Sequence, residues 1–74
     1  MKAEEMFKKL GYKSSSCAEA YICYEKENTF NEHVCIEFYL RKRKFYAQCN
    51  KYPHEINMDE FEAIQQQLRE LRWI

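Results

Sequence analysis

Seventy-four residues make one domain, and at this size roughly 60% of the unfolded surface can be buried, so the core must be thin. Twelve basic and twelve acidic residues cancel to a net charge of zero, which argues against a general nucleic-acid binder with excess cations facing phosphates. Five Phe, six Tyr and one Trp supply large buried areas per residue and argue against disorder.

No run of about 18 apolar residues occurs, so no transmembrane helix is expected. Glu4 and Glu5 stand where a signal peptide has its apolar core, and the chain reads as cytoplasmic. In that compartment Cys17, Cys23, Cys35 and Cys49 read as reduced thiols serving as small apolar residues. They form no C-x-x-C, and His33 and His54 are the only histidines, so no metal site is expected.

In chain order, Ala3, Met6, Phe7 and Leu10 recur at the spacing of an amphipathic helix. Glu4 and Glu5 in its first turn and Lys8 and Lys9 in its last suit the helix dipole. Gly11 follows as a residue able to take positive φ and end the helix, with Tyr12 folding back on the last turn. Lys13, Ser14, Ser15 and Ser16 read as a polar connector.

A first strand is expected over residues 20–26, where Tyr21, Ile22, Cys23 and Tyr24 are strand formers. Period two permits either Ile22 and Tyr24 or Tyr21 and Cys23 inward, and the first register is adopted. Residues 27–32 form a turn, with Phe30 either a lid over the core edge or an exposed contact. Residues 33–40 and 45–49 then alternate as two strands, with Val34, Ile36, Phe38, Leu40, Phe45, Ala47 and Cys49 on one face. The link between them is short enough for an antiparallel hairpin. Arg41, Lys42, Arg43 and Lys44 crowd its tip, either as a grip for phosphate or an acidic partner or as charges that deter aggregation.

Pro53 lacks a donor and restricts Tyr52, so regular pairing is expected to end there. His54 reads as a surface histidine in a loop. Asn57 and Glu60 make an Asn-type capping box for a final helix. Met58, Phe61, Ile64, Leu68 and Leu71 form its apolar stripe, and Gln65, Gln66 and Gln67 read as helix surface. Trp73 and Ile74 are read as docking on the core, the alternative being a C-terminal peptide offered to a partner.

No glycine-rich phosphate loop, H-E-x-x-H or nucleophile elbow is present, so neither a cofactor site nor catalysis is expected. Two helices on one face of the sheet leave the other bare. On the adopted register that face carries Tyr21, Cys23, Glu25, Cys35, Glu37, Tyr39, Lys44, Tyr46 and Gln48. Tyrosines among charges are enriched at protein interfaces, although the same rings could stack bases and are also ordinary strand residues. The candidate partner-binding residues are therefore Tyr21, Glu25, Glu37, Tyr39, Arg41, Lys42, Arg43, Lys44 and Tyr46.

The opening Ala3-Glu4-Glu5-Met6-Phe7-Lys8-Lys9-Leu10-Gly11-Tyr12 resembles that of small proteins carried by phages and prophages of Gram-positive bacteria. The close, from Ile56-Asn57-Met58-Asp59-Glu60-Phe61 to Leu68-Arg69-Glu70-Leu71-Arg72-Trp73-Ile74, is similar to theirs. In size and element order the chain also looks like the anti-CRISPR proteins. The resemblance implies an inhibitor that occludes a surface on a host defence nuclease or sensor, in the host cytoplasm. The expected fold is α+β: a three-stranded antiparallel sheet with N- and C-terminal helices on one face, in the order αβββα. The alternative function is a nucleic-acid-binding accessory protein using the basic hairpin and the sheet tyrosines. Either a monomer or a homodimer is compatible with the pattern, and no membrane is involved.

Overall fold

The computed structural model describes residues 1–15, 20–28 and 30–74. The expectations for Ser16, Cys17 and Thr29 lie outside these described residues. Elements follow in the order α1 (Ala3–Lys9), β1 (Lys13–Ser14), β2 (Tyr21–Glu27), β3 (His33–Tyr39), β4 (Lys44–Cys49), β5 (Tyr52–Pro53) and α2 (Met58–Glu70). The class is α+β, as expected, but among the described residues the sheet has five strands and not three. All neighbours are antiparallel and lie in chain order.

The two additional strands are edges of two residues each, too short for an alternating pattern to announce them. Lys13 and Ser14, read as connector, pair with Glu25 and Tyr24. Tyr52 and Pro53 pair with Cys49 and Gln48, so pairing runs through the proline and does not stop before it. An edge strand tolerates proline because the missing donor can face away from the ladder.

The adopted β2 register holds. Ile22 lies opposite Phe38 and Tyr24 opposite Ile36, and β3 continues the row to Phe45 and Ala47 of β4. Both helices cover this face: Ala3 and Phe7 from α1 and Ala63 and Ile64 from α2 join Tyr24, Val34, Ile36 and Phe38 in one core. Phe7 is its centre. Its ring stacks on Tyr24 at 4.0 Å and meets Tyr12 and Phe38 edge-on.

Helix α1 ends in a Schellman arrangement, with Tyr12 N–H donating to Phe7 O and Gly11 N–H to Lys8 O. Gly11 sits at φ +94°, which only glycine adopts without strain. The same bonds recur after α2, where Trp73 N–H donates to Leu68 O and Arg72 N–H to Arg69 O. Here the left-handed position is held by Arg72, at φ 61°. Arg72→Gly is therefore expected to add about 0.5–1 kcal/mol, a few degrees in Tm, by removing the Cβ clash. An unchanged or lowered thermal midpoint would count against the strain.

Helix α2 buries a stripe rotated from the expected one. Glu60, Ala63, Ile64 and Gln67 face the core, while Phe61 is 43% exposed and Met58 70%. Phe61 lies about 100° around the helix from Glu60, at the rim of the buried sector. Polar residues take the middle of that sector because each finds a partner. Gln67, read as surface, accepts from Tyr24 Oη at 2.5 Å. Tyr24→Phe is expected to lose about 1–2 kcal/mol in urea melts by orphaning Gln67, and adding Gln67→Leu should recover most of it. Additive losses in that cycle would mean the hydroxyl–amide pair is not coupled.

Three further positions are decided by the packing. Phe45 lies opposite Phe38 and stacks on it at 5.6 Å, as the shared face implies, but its ring is 42% exposed. Trp73 packs against the core, whereas Ile74 remains exposed. Of the two readings of Phe30, a lid or an exposed contact, the structure has it exposed. At the other helix, the Glu70 carboxylate of α2 accepts from Ala3 N–H at 2.7 Å, capping the start of α1 from across the fold.

Candidate functional site

Strand pairing assembles the side of the sheet opposite the helices row by row. Tyr21, Tyr39 and Lys44 form one row, Cys23, Glu37 and Tyr46 the next, and Glu25, Cys35 and Gln48 the third. The nine residues assigned to the bare face thus all lie on it. Six of the nine candidate partner-binding residues, Tyr21, Glu25, Glu37, Tyr39, Lys44 and Tyr46, share it. Arg41, Lys42 and Arg43 are exposed in the turn at its end.

The face is internally bonded. Tyr39 Oη donates to Glu37 Oε2 at 3.0 Å, and Gln48 Nε2 donates to Glu37 Oε1 at 3.4 Å. Tyr46 Oη in turn donates to Gln48 Oε1 at 2.8 Å. The Tyr21 and Tyr39 rings lie 6.2 Å apart, tilted by 34°. The hydrogen bond to Glu37, ahead of burial, pushes the Tyr39 hydroxyl up to about 12, so it stays a donor at neutral pH. Such cross-links hold the side chains in one arrangement before any partner arrives, which lowers the ordering cost of binding.

Glu25 and Glu37 do not form a carboxylate pair. Glu25 is opposite Cys35 and Glu37 opposite Cys23, so they sit diagonally, and each has its own partner. His33 Nε2 meets Glu25 Oε2 at 3.2 Å. At the hairpin tip, Arg43 Nη2 reaches the backbone oxygen of Trp73 at 3.5 Å, and Arg43 takes φ 52° to turn the chain.

Two features escaped the sequence reading. Cys23 and Cys35, placed on the bare face, are buried there at 5% and 8% exposure, with Sγ atoms 3.1 Å apart. Their short side chains lie among the longer Glu25, Glu37 and Gln48, and Cys23, Glu25 and Cys35 bring their ligand atoms within 4.8 Å of one another. The signal was present in the alternation, which puts residues 23 and 25 on one face and 35 beside them. Reading cysteine spacing along the chain, instead of across strands, hid it.

The second is a buried cluster on the helix side. Glu60 is 1% exposed and accepts from Tyr12 Oη, with His54 Nε2 at 3.0 Å from Oε2 and 3.1 Å from Oε1. Its capping box is also present, with Asn57 N–H donating to Glu60 Oε1 at 3.0 Å and Glu60 N–H to Asn57 Oδ1 at 2.8 Å. His54 is accordingly half-buried and bonded, and no free surface histidine. Burial alone would push the Glu60 carboxyl up, but bonds from Tyr12, Asn57 and His54 outweigh it and hold it below the usual carboxylate range. With Tyr12, Asn57 and His54 all meeting one carboxylate, this cluster ties β1's approach, the β5–α2 loop and the helix start together.

Fold and face define a small α+β domain with one side of an antiparallel sheet left uncovered by helices. Compared with protein-family models, curated proteins and solved structures, the chain gives no match. Among the described residues no helix is long and apolar enough to cross a membrane.

Proposed function

We propose that this chain is a non-enzymatic protein-binding module that docks its open sheet face on a partner protein and acts by occupying the partner's surface. The observation that carries this reading is the cross-linked array of Tyr39, Glu37, Gln48 and Tyr46 on that face. Tyrosines held rigid beside fixed carboxylates and amides offer aromatic area and directional bonds at small entropy cost, as interface anchors do. The partner surface complementary to it is rich in hydrogen-bond donors and cations opposite Glu25 and Glu37. Arg41, Lys42, Arg43 and Lys44 at the rim steer approach and favour acidic ground beside that contact. The likeness to small phage proteins extends the reading to an inhibitor of a host defence nuclease or sensor, working by steric occlusion in the host cytoplasm.

A second reading, a nucleic-acid-binding accessory protein, draws on the exposed Arg41, Lys42 and Lys44 beside Tyr39 and Tyr46. Glu25 and Glu37 on the same face repel phosphate, which places it second. The test is affinity capture from Gram-positive host lysate with and without nuclease, followed by affinity measurement on the captured partner. A protein partner should survive nuclease treatment and bind Tyr39→Ala/Tyr46→Ala about 30-fold more weakly, the loss of about 2 kcal/mol typical of interface anchors. Capture that vanishes with nuclease, with affinity falling steeply in salt, would put the nucleic-acid reading first.

A further inference from the structure

We propose that Cys23, Cys35 and Glu25 form a binding site for a thiophilic divalent cation, with Zn²⁺ the fitting ion and His33 orienting the Glu25 carboxylate. Two cysteine sulfurs lie 3.1 Å apart on adjacent strands, both buried, and the Glu25 carboxylate comes within 4.8 Å of each. Among the described residues this is the one group of three or more such side chains whose ligand atoms converge. Two sulfurs and a carboxylate oxygen are a donor set for zinc, whereas calcium and magnesium take oxygen ligands.

The register differs from that of the usual directly opposed cross-strand disulfide. Cys23 is opposite Glu37 and Cys35 opposite Glu25, so the cysteines are diagonal neighbours across the ladder. Diagonal Cα atoms sit about 7–8 Å apart, beyond the span of about 4.4–6.8 Å that a disulfide bridges. An ion needs no such approach. Two thiolates about 2.3 Å from one tetrahedral zinc are about 3.8 Å from each other. Rotating the two side chains from 3.1 Å opens that gap by about 0.7 Å with the backbone in place. As the ion enters, both thiols release their protons to water, and the sulfur–sulfur hydrogen bond is replaced by two metal–sulfur bonds.

His33 completes the arrangement from outside. Its Nε2 contacts Glu25 Oε2 at 3.2 Å, and ligating carboxylates characteristically carry such a hydrogen bond. Glu25 and His33 also line an open groove of about 400 Å³ with Gly11, Lys13, Lys26 and Glu27, so the carboxylate end of the site meets solvent. A water from that groove supplies the fourth position.

The test uses the reduced 74-residue chain titrated with Zn²⁺, and with Co²⁺ as a spectroscopic stand-in. Binding of one ion per chain is expected, with a thiolate-to-cobalt charge-transfer band and a Tm raised by roughly 10–20 °C at a hundredfold excess over Kd. His33→Ala should weaken binding about tenfold and Cys49→Ser should leave it unchanged. Site-resolved alkylation of the unmutated chain should show Zn²⁺ protecting Cys23 and Cys35 and sparing Cys49, a readout that needs no core variant. The proposal is overturned if a folded Cys23→Ser/Cys35→Ser variant binds as well as the parent. It is equally overturned if zinc leaves alkylation of the pair unchanged, or if mild oxidation links Cys23 to Cys35 while the reduced chain takes up no metal.

Discussion

Phe7→Ala is expected to remove about 3–5 kcal/mol of stability, the usual cost of truncating a buried Phe. Phe7 is fully buried and in ring contact with Tyr12, Tyr24 and Phe38, so it joins helix α1, the chain after it and two central strands. A domain of 74 residues has about 4–11 kcal/mol in total. The variant should therefore lose a large share of the total, with its urea midpoint far below the parent's and, towards the lower end of that range, no native baseline. Phe7→Leu keeps most of the volume and should cost about 1–1.5 kcal/mol, enough to shift the midpoint but not to abolish the transition. If Phe7→Ala melts within about 1 kcal/mol of the parent, the aromatic cluster is not the centre of the core.

Glu60→Ala ranks second, at about 3 kcal/mol. It strips the acceptor from Tyr12 and His54, both enclosed with it, and removes half of the capping box with Asn57. The cost is mostly that of stranding those donors, so Glu60→Gln, which keeps a carbonyl oxygen, should lose less.

The pH dependence follows from the same cluster. Glu60's folded carboxyl lies below its unfolded value, so its contribution is complete above the ordinary carboxylate pKa of about 4.3 and fades as pH falls through the folded one. Urea midpoints of the parent and Glu60→Gln should accordingly converge in acid. On the alkaline side the signs reverse. Burial pushes the Tyr12 hydroxyl up, and that of Tyr24 to about 12, so both contribute while neutral. Their contribution is complete below about pH 10, where unfolded tyrosines begin to ionise, and is lost as pH rises through the folded values. A parent whose stability is flat from neutral into strong base would contradict the buried hydroxyl bonds.

Element identity was readable wherever a segment was long and periodic. The hairpin, the Schellman end at Gly11 and the Asn57–Glu60 box all follow from local spacing, whereas spacing left β2 open between two registers, and the membership of the open face rested on the one adopted. The misread positions share one feature. Gln67 and Glu60 are polar residues in a buried sector, legible as core only once Tyr24, Tyr12 and His54 are known to face them. Phe61 and Phe45 are the converse: apolar residues on the right elements that the packing leaves at a rim.

By itself, the sequence determined the helices, the three central strands and which side chains share each face, because caps and periodicities act over a few residues and need no distant partner. Tertiary structure decided the two short edges, the rotation of α2 about its axis, and the meeting of Cys23 with Cys35 and of Tyr12 with Glu60. Those contacts join residues 12 and 48 positions apart, and long-range pairing is set by how faces pack and not by any neighbour in the chain. Burial of a polar side chain is favourable only where the fold delivers its hydrogen-bond partner, which a local pattern does not encode.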